Sequence, residues 1–229
     1  MTFIIFKFNM VIYMNYSAER TLMVEIGRRL YRNGFVPGTD GNISCLVASD
    51  KILITPSGSA KGFLKPEDLV LVDPRGGLIS GVGKPSSEML MHLFVYQRRP
   101  DIKACCHAHP PYATAMSIIG RGLPPDILPE VILSVGDIPL TDYASPGTEA
   151  VPQALEPFIK DHVAFMLRNH GVLTIGRDPE EAFYRMETVE HFAKIFYIAG
   201  GAGEIDPLDN PEIERLRKIA EAIRQERKL

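Results

Sequence analysis

The chain has 229 residues, 45% of them hydrophobic and 23% charged, with a formal net charge of −3. That is enough apolar sequence for one well-packed domain, and too much for a disordered tail protein. The slightly acidic balance argues against a nucleic-acid partner, which needs a basic stripe. The three cysteines, Cys45 and the adjacent Cys105 and Cys106, argue against a disulfide framework and for a reducing, cytoplasmic setting.

Residues 1–16 are read as an apolar extension and 17–229 as a single domain. The opening run is broken by Lys7 after six residues, so it is too short for a membrane span of ~20 residues, and it lacks signal-peptide order. Met10 or Met14 is the expected true start. From Ser17 to about Gly34, Leu22, Ile26 and Leu30 recur at helical spacing, and Gly34 can stop the helix. The loop VPGTDGN leads to strand ISCLVA, then a turn, strand ILIT, the tight turn PSGS, strand LVLVD and GLISG. PSSEMLMHLFVYQRR is predicted as a helix capped by serine. IKACCHAH follows as a buried strand, and PPYATAMSII as a helix with proline at its start. DIPLTDYA is extended, VPQALEPFIK helical, and VAFMLRNHGVLTIG one or two strands around Asn169-His170-Gly171. Asp178 and Pro179 start a long helix, and a charged amphipathic helix ends the chain with Ile213, Leu216, Ile219 and Ile223 as its docking stripe. Strands joined by tight turns and interleaved with helices predict a mixed, largely antiparallel sheet covered by helices on both faces.

The sharpest chemical signal is His107-Ala-His109 at the end of an apolar strand. Residues i and i+2 of a strand share a face, so two imidazoles can chelate one ion. His170, beside Gly171 between two apolar runs, is the candidate third ligand. Three protein ligands with an open position is the pattern of catalytic zinc. A lone histidine is more often a packing residue, and His92, His162 and His191 are read that way, with His92 one turn after Glu88 as a supporting group. A second signal lies in three small-polar turns that can converge on a phosphate: Asn42 after Gly41, Ser57 with Gly58, and Ser86 with Ser87 at a predicted helix start. Each alone is an ordinary turn or cap. Together they would bind an anion without a lysine or arginine cluster. Glu88 is the candidate acid/base, since a carboxylate near a metal can exchange a proton with a carbon next to a carbonyl. The alternative is a glutamate that only complements the helix dipole.

In order, GTDGNIS (38–44), TPSG (55–58), KPSSE (84–88), HAH (107–109), DYASPGT (142–148) and NHG (169–171) resemble the class II aldolase/adducin family over roughly residues 18–200, and within it the L-fuculose 1-phosphate aldolase branch. The resemblance implies a three-layer α/β/α fold with a central, mainly antiparallel mixed sheet. It also implies a homotetramer with active sites between subunits, one Zn²⁺ per subunit on His107, His109 and His170 with Glu88 as a resting fourth ligand, and phosphate contacts from Asn42, Ser57, Gly58, Ser86 and Ser87. The implied activity is cleavage of a ketose 1-phosphate, such as L-fuculose 1-phosphate, to dihydroxyacetone phosphate and an aldehyde through an enediolate, with Glu88 as acid/base. A 4-epimerase, a methylthioribulose-1-phosphate dehydratase or an oxo-acid phosphate decarboxylase would use the same parts. A non-catalytic adducin-like protein would lack the three histidines. The family's second proton donor comes from the neighbouring subunit, where this chain carries ILPEVILSVGDIP (127–139) with Glu130 and no tyrosine.

Overall fold

The computed structural model describes residues 16–226; the expectation for the N-terminal extension falls on residues outside that range. Helix α1 (Ser17–Arg32) is followed by β1 (Asn42–Ala48), β2 (Lys51–Ile54), β3 (Val70–Val72) and β4 (Leu78–Ser80). Two short 3₁₀ turns, Lys61–Phe63 and Pro66–Asp68, lie between β2 and β3. Then come α2 (Met89–Arg98), β5 (Ala104–Ala108), α3 (Pro111–Ile118), α4 (Pro129–Ser134) and α5 (Ala150–Leu155). The chain continues through β6 (Ala164–Leu167), β7 (Gly171–Gly176), α6 (Pro179–Ala202) and α7 (Asn210–Glu226).

Seven strands form one sheet in the order β4-β3-β2-β1-β5-β7-β6. Every pairing between these strands is antiparallel. The expected mixed character shrinks to one parallel bridge, Leu140 to Met166, where the extended segment before Asp142 runs along β6. Alternation divides the strand side chains between two faces. Ile43, Cys45, Cys106 and Val172 pack with α1, α3, α4 and α6, whereas Cys105, Phe165, Leu173 and Ile175 pack with α2 and α5. Each fully buried Leu, Ile, Val or Phe contributes roughly 1.5–3 kcal/mol, so both faces need their helices and three layers result.

Helix ends largely follow local chemistry. The Asp178 side chain accepts a hydrogen bond from the Glu181 amide, and Pro179 occupies the first turn of α6. The serine-capped start predicted for α2 moves later. Glu88 itself is the N-cap, and the helix begins at Met89. α4, absent from the expected elements, begins at Pro129 within the 127–139 segment. On α7 the buried pair is Leu216 and Ala220, while Ile219 is 37% exposed. The docking stripe is therefore narrower than the apolar pattern implied, because the helix packs chiefly on short α4.

Candidate metal centre and phosphate loops

Strand register gathers the histidines. Asn42 at the start of β1 faces His107 near the end of β5, and Ala108 faces Val172 just inside β7. Because neighbouring strands run antiparallel, one sheet end holds the start of β1, the end of β5 and the turn before β7. His107, His109 and His170 meet there, with one donor atom from each lying within 4.8 Å of the others. His107 Nε2 lies 3.2 Å from His109 Nε2. Ligand atoms at about 2.0–2.1 Å from a tetrahedral ion sit roughly 3.3–3.4 Å apart, so this separation suits a shared cation.

Backbone detail makes the approach possible. Asn169 adopts a left-handed conformation, φ 57°, which asparagine tolerates better than most residues. Gly171 serves packing and not a turn. Its φ is not positive, but a Cβ there would lie 2.4 Å from the Ala108 carbonyl oxygen and 2.7 Å from His109 Cδ2. Glycine is required by close packing of β7 on β5.

The second nitrogen of two imidazoles is held. His107 Nδ1 donates to the Val172 carbonyl at 2.9 Å, and His109 Nδ1 pairs with Asp40 Oδ2 at 3.2 Å. Such partners select the tautomer whose Nε2 lone pair faces inward. Asp40 escaped the sequence reading; its signal was an acid two residues before Asn42 in GTDGN. Glu88 bridges the cluster, with Oε2 3.2 Å from His107 Nε2 and Oε1 3.1 Å from His170 Nε2. Oε1 is buried and accepts no hydrogen bond despite that proximity. A carboxylate oxygen and imidazole nitrogens turned toward one point, without hydrogen-bond geometry, match the donor set of a divalent cation.

Electrostatics agree. Burial alone would raise the Glu88 carboxyl, but the positive charge of His107 and His170 close to its oxygens holds it below the usual carboxylate range. Burial works against charge on His107, and Glu88 overcomes it and raises that imidazole. Burial, then the charges of His107 and His170, lower His109 to about 4. A cation would take the place of the shared proton charge. His92 is fully buried on α2 with Nδ1 2.6 Å from Ser44 Oγ, which also meets Tyr96 Oη at 2.6 Å. His92 is thus engaged with Ser44 and stands outside the group of three histidines.

The loops converge on the same end. Asn42 Nδ2 donates to Glu88 Oε2 at 2.8 Å. The Ser57 amide donates to the Lys84 carbonyl at 2.9 Å beside a Pro56–Pro85 bridge, which sets Ser57 and Gly58 next to Ser86. Gly147, from the DYASPGT segment, reaches the Ser87 carbonyl. The amides at the start of α2 are partly engaged: Glu88 N donates to Ser86 Oγ, Met89 N to the Ser86 carbonyl and Met91 N to the Glu88 carbonyl. Ser86 is buried and Ser87 exposed, so Ser87 offers its hydroxyl and makes no cap. Glu130 is exposed at the start of α4.

No helix among the described residues is long and apolar enough to cross a membrane. The family model described as Class II Aldolase and Adducin N-terminal domain matches residues 21–197. A 3-oxo-tetronate 4-phosphate decarboxylase of Haemophilus influenzae is 34% identical over 203 residues, 87% of this chain and 96% of that protein. An L-fuculose phosphate aldolase of Methanococcus maripaludis is 35% identical over 182 residues, 79% of this chain and 97% of that protein. A solved L-fuculose 1-phosphate aldolase superposes with a TM-score of 0.83 at 32% identity, covering 90% of this chain and 97% of the other. With the fold, the ordered motifs and these likenesses in agreement, the chain belongs to the class II aldolase and adducin family, as an enzyme of the class II aldolase superfamily.

Proposed function

We propose that the protein cleaves a carbon–carbon bond in a phosphorylated ketose, releasing dihydroxyacetone phosphate and an aldehyde from a ketose 1-phosphate such as L-fuculose 1-phosphate. The observation that carries this reading is the Glu88 carboxylate, held between His107, His170 and the Asn42 amide beside the three convergent histidines. His107, His109 and His170 would hold the cation, with Glu88 as a resting fourth ligand; three imidazoles and one carboxylate suit zinc. When bound, such an ion acts as a Lewis acid, polarising the substrate carbonyl and stabilising charge that develops there.

The chain's own residues do the rest. Asn42, Ser57, Gly58, Ser86 and Ser87 would seat the phosphate and set the sugar's orientation. The Asn42 amide, by donating to Glu88 Oε2, keeps that carboxylate aimed, and the neighbouring histidines favour its ionised form. Loss of the C4 hydroxyl proton turns C4 into the aldehyde carbonyl as C3–C4 breaks and leaves the bonding electron pair on C3; Glu88, having taken up that hydroxyl proton, delivers it to C3. Charge developing on Glu88 is balanced by the adjacent histidine cluster, which favours the ionised resting form.

A second reading has its own support, since the Haemophilus influenzae relative is named a decarboxylase of a phosphorylated 3-oxo acid. Loss of carbon dioxide would leave the same kind of carbanion for Glu88 to protonate. We further propose a cytoplasmic homotetramer with sites at subunit boundaries. Ile118 and Ile119 at the end of α3, and Tyr197 and Ile198 on α6, are 54–68% exposed, and exposed large apolar residues of this kind support an association surface. Metal-loaded protein incubated with ketose 1-phosphates and 3-oxo acid phosphates, followed by NMR, tests the chemistry. Dihydroxyacetone phosphate plus an aldehyde supports the aldolase, and carbon dioxide without an aldehyde supports the decarboxylase. Release of neither from any substrate would sink both. Light scattering reads the assembly.

A further inference from the structure

Lys61 played no part in the sequence reading. It lies in the first 3₁₀ turn after β2 and is 2% exposed. Its Nζ donates to the Thr39 carbonyl and to the Ser59 carbonyl, each at 2.7 Å. Thr39 lies in the loop that carries Asp40 and Asn42. Ser59 closes the loop that carries Ser57 and Gly58. One buried ammonium therefore ties together two loops that are 20 residues apart in sequence and that both border the site.

The seat of this lysine is built to hold it still. Gly27 of α1 lies so close that a Cβ would sit 2.6 Å from the Lys61 carbonyl oxygen, and Gly62 would clash in the same way with the Tyr31 ring. Burying an ammonium is unfavourable unless it is paired. Burial lowers Lys61 to about 8, and the nearby Asp40 and Glu88 carboxylates partly oppose that shift. A neutral donor would join two carbonyls without that penalty. A retained charge beneath two loops proposed to seat a phosphate is explained if the charge serves that anion.

We propose that Lys61 is a positioning residue for the substrate's phosphate, its ammonium setting the spacing between the Asn42 loop and the Ser57–Gly58 loop and placing a positive charge beneath them. This rests on the phosphate reading given above for those loops. It also changes the character of the cradle, which takes its selectivity from a buried cation as well as from small polar turns.

The test uses zinc-loaded Lys61→Met and Lys61→Arg proteins, with inorganic phosphate as the calorimetric probe and the turned-over ketose phosphate for kinetics. Lys61→Met should bind phosphate at least ~10-fold more weakly, the scale set by loss of hydrogen bonds from a charged group. KM should rise in parallel while kcat stays within a few fold and zinc content matches wild type. Lys61→Arg keeps the charge but cannot place one nitrogen between both carbonyls, so its phosphate affinity should fall between the two. A merely structural lysine would lower thermal stability and leave phosphate affinity and KM unchanged. That result in Lys61→Met, or in Lys61→Arg should the methionine variant not fold, overturns the proposal and leaves the phosphate site standing. Wild-type protein that fails to bind phosphate would instead overturn the phosphate reading, and this inference with it.

Discussion

The two halves of the site are held by different forces. The histidine end rests on backbone ladders: β1, β5 and β7 bring His107 and His109 to one sheet end, and the β6–β7 turn delivers His170. The loop end has few ladder bonds. It depends on side chains reaching across the chain, from Asn42 to Glu88 and from Lys61 to Thr39 and Ser59. A ladder spreads its stability over many bonds, whereas a single side-chain link concentrates it. Changes at the first end should therefore act on metal content, and changes at the second on substrate affinity with metal intact.

The largest break should come at the histidine end. His107→Ala is expected to remove nearly all activity and most bound metal, since two imidazoles leave an incomplete site, while circular dichroism shows a folded chain. Metal analysis decides it, because a full equivalent of metal in this variant would mean the wrong ligand. Glu88→Gln sits where the two halves meet. It should lower turnover by ~10²–10⁴, the range for a lost acid/base, and leave phosphate affinity near wild type. Unchanged turnover would remove Glu88 from the chemistry, whereas a modest change in metal affinity would not.

Ser87→Asp probes the loop end alone. A carboxylate placed where the phosphate belongs should raise KM for phosphorylated substrates ~10-fold or more, with normal metal content. Because Ser87 makes no cap in this structure, thermal stability should barely move. Wild-type kinetics in this variant would withdraw Ser87 from the phosphate site. The smallest change in atoms is Gly171→Ala, one methyl group against the Ala108 carbonyl. Overpacking of this kind costs ~1–3 kcal/mol, so denaturant unfolding should show that loss together with weaker metal retention. An alanine variant with wild-type stability and metal content would show that β7 can shift freely.

The N-terminal end of α2 and the 127–139 segment show where sequence reasoning slipped. Two serines and a glutamate before an apolar run look like a cap, yet the helix starts three residues after Ser86, and Ser86 Oγ bonds the Glu88 amide instead. Local pattern offered several cap positions, and contact with the Asn42 loop selected among them. For α4, six residues are too few to show helical period. In contrast, Asp178-Pro179 predicted the start of α6, because capping is a property of neighbours in sequence.

What the amino-acid sequence determined alone was whatever local periodicity and local chemistry encode: the strands and long helices, the i,i+2 pairing of His107 with His109, the Asp178 cap and the ordered family motifs. Tertiary structure decided what depends on residues distant in sequence. It showed that Asp40 backs His109, that Gly171 is needed for strand proximity and not for φ, that Glu88 spans two histidines and Asn42, and that Lys61 lies buried beneath two loops. A lysine in sequence reads as a surface charge. Only the packing of α1 against the turn after β2 buries it, and burial is what turns an ordinary cation into a link between loops.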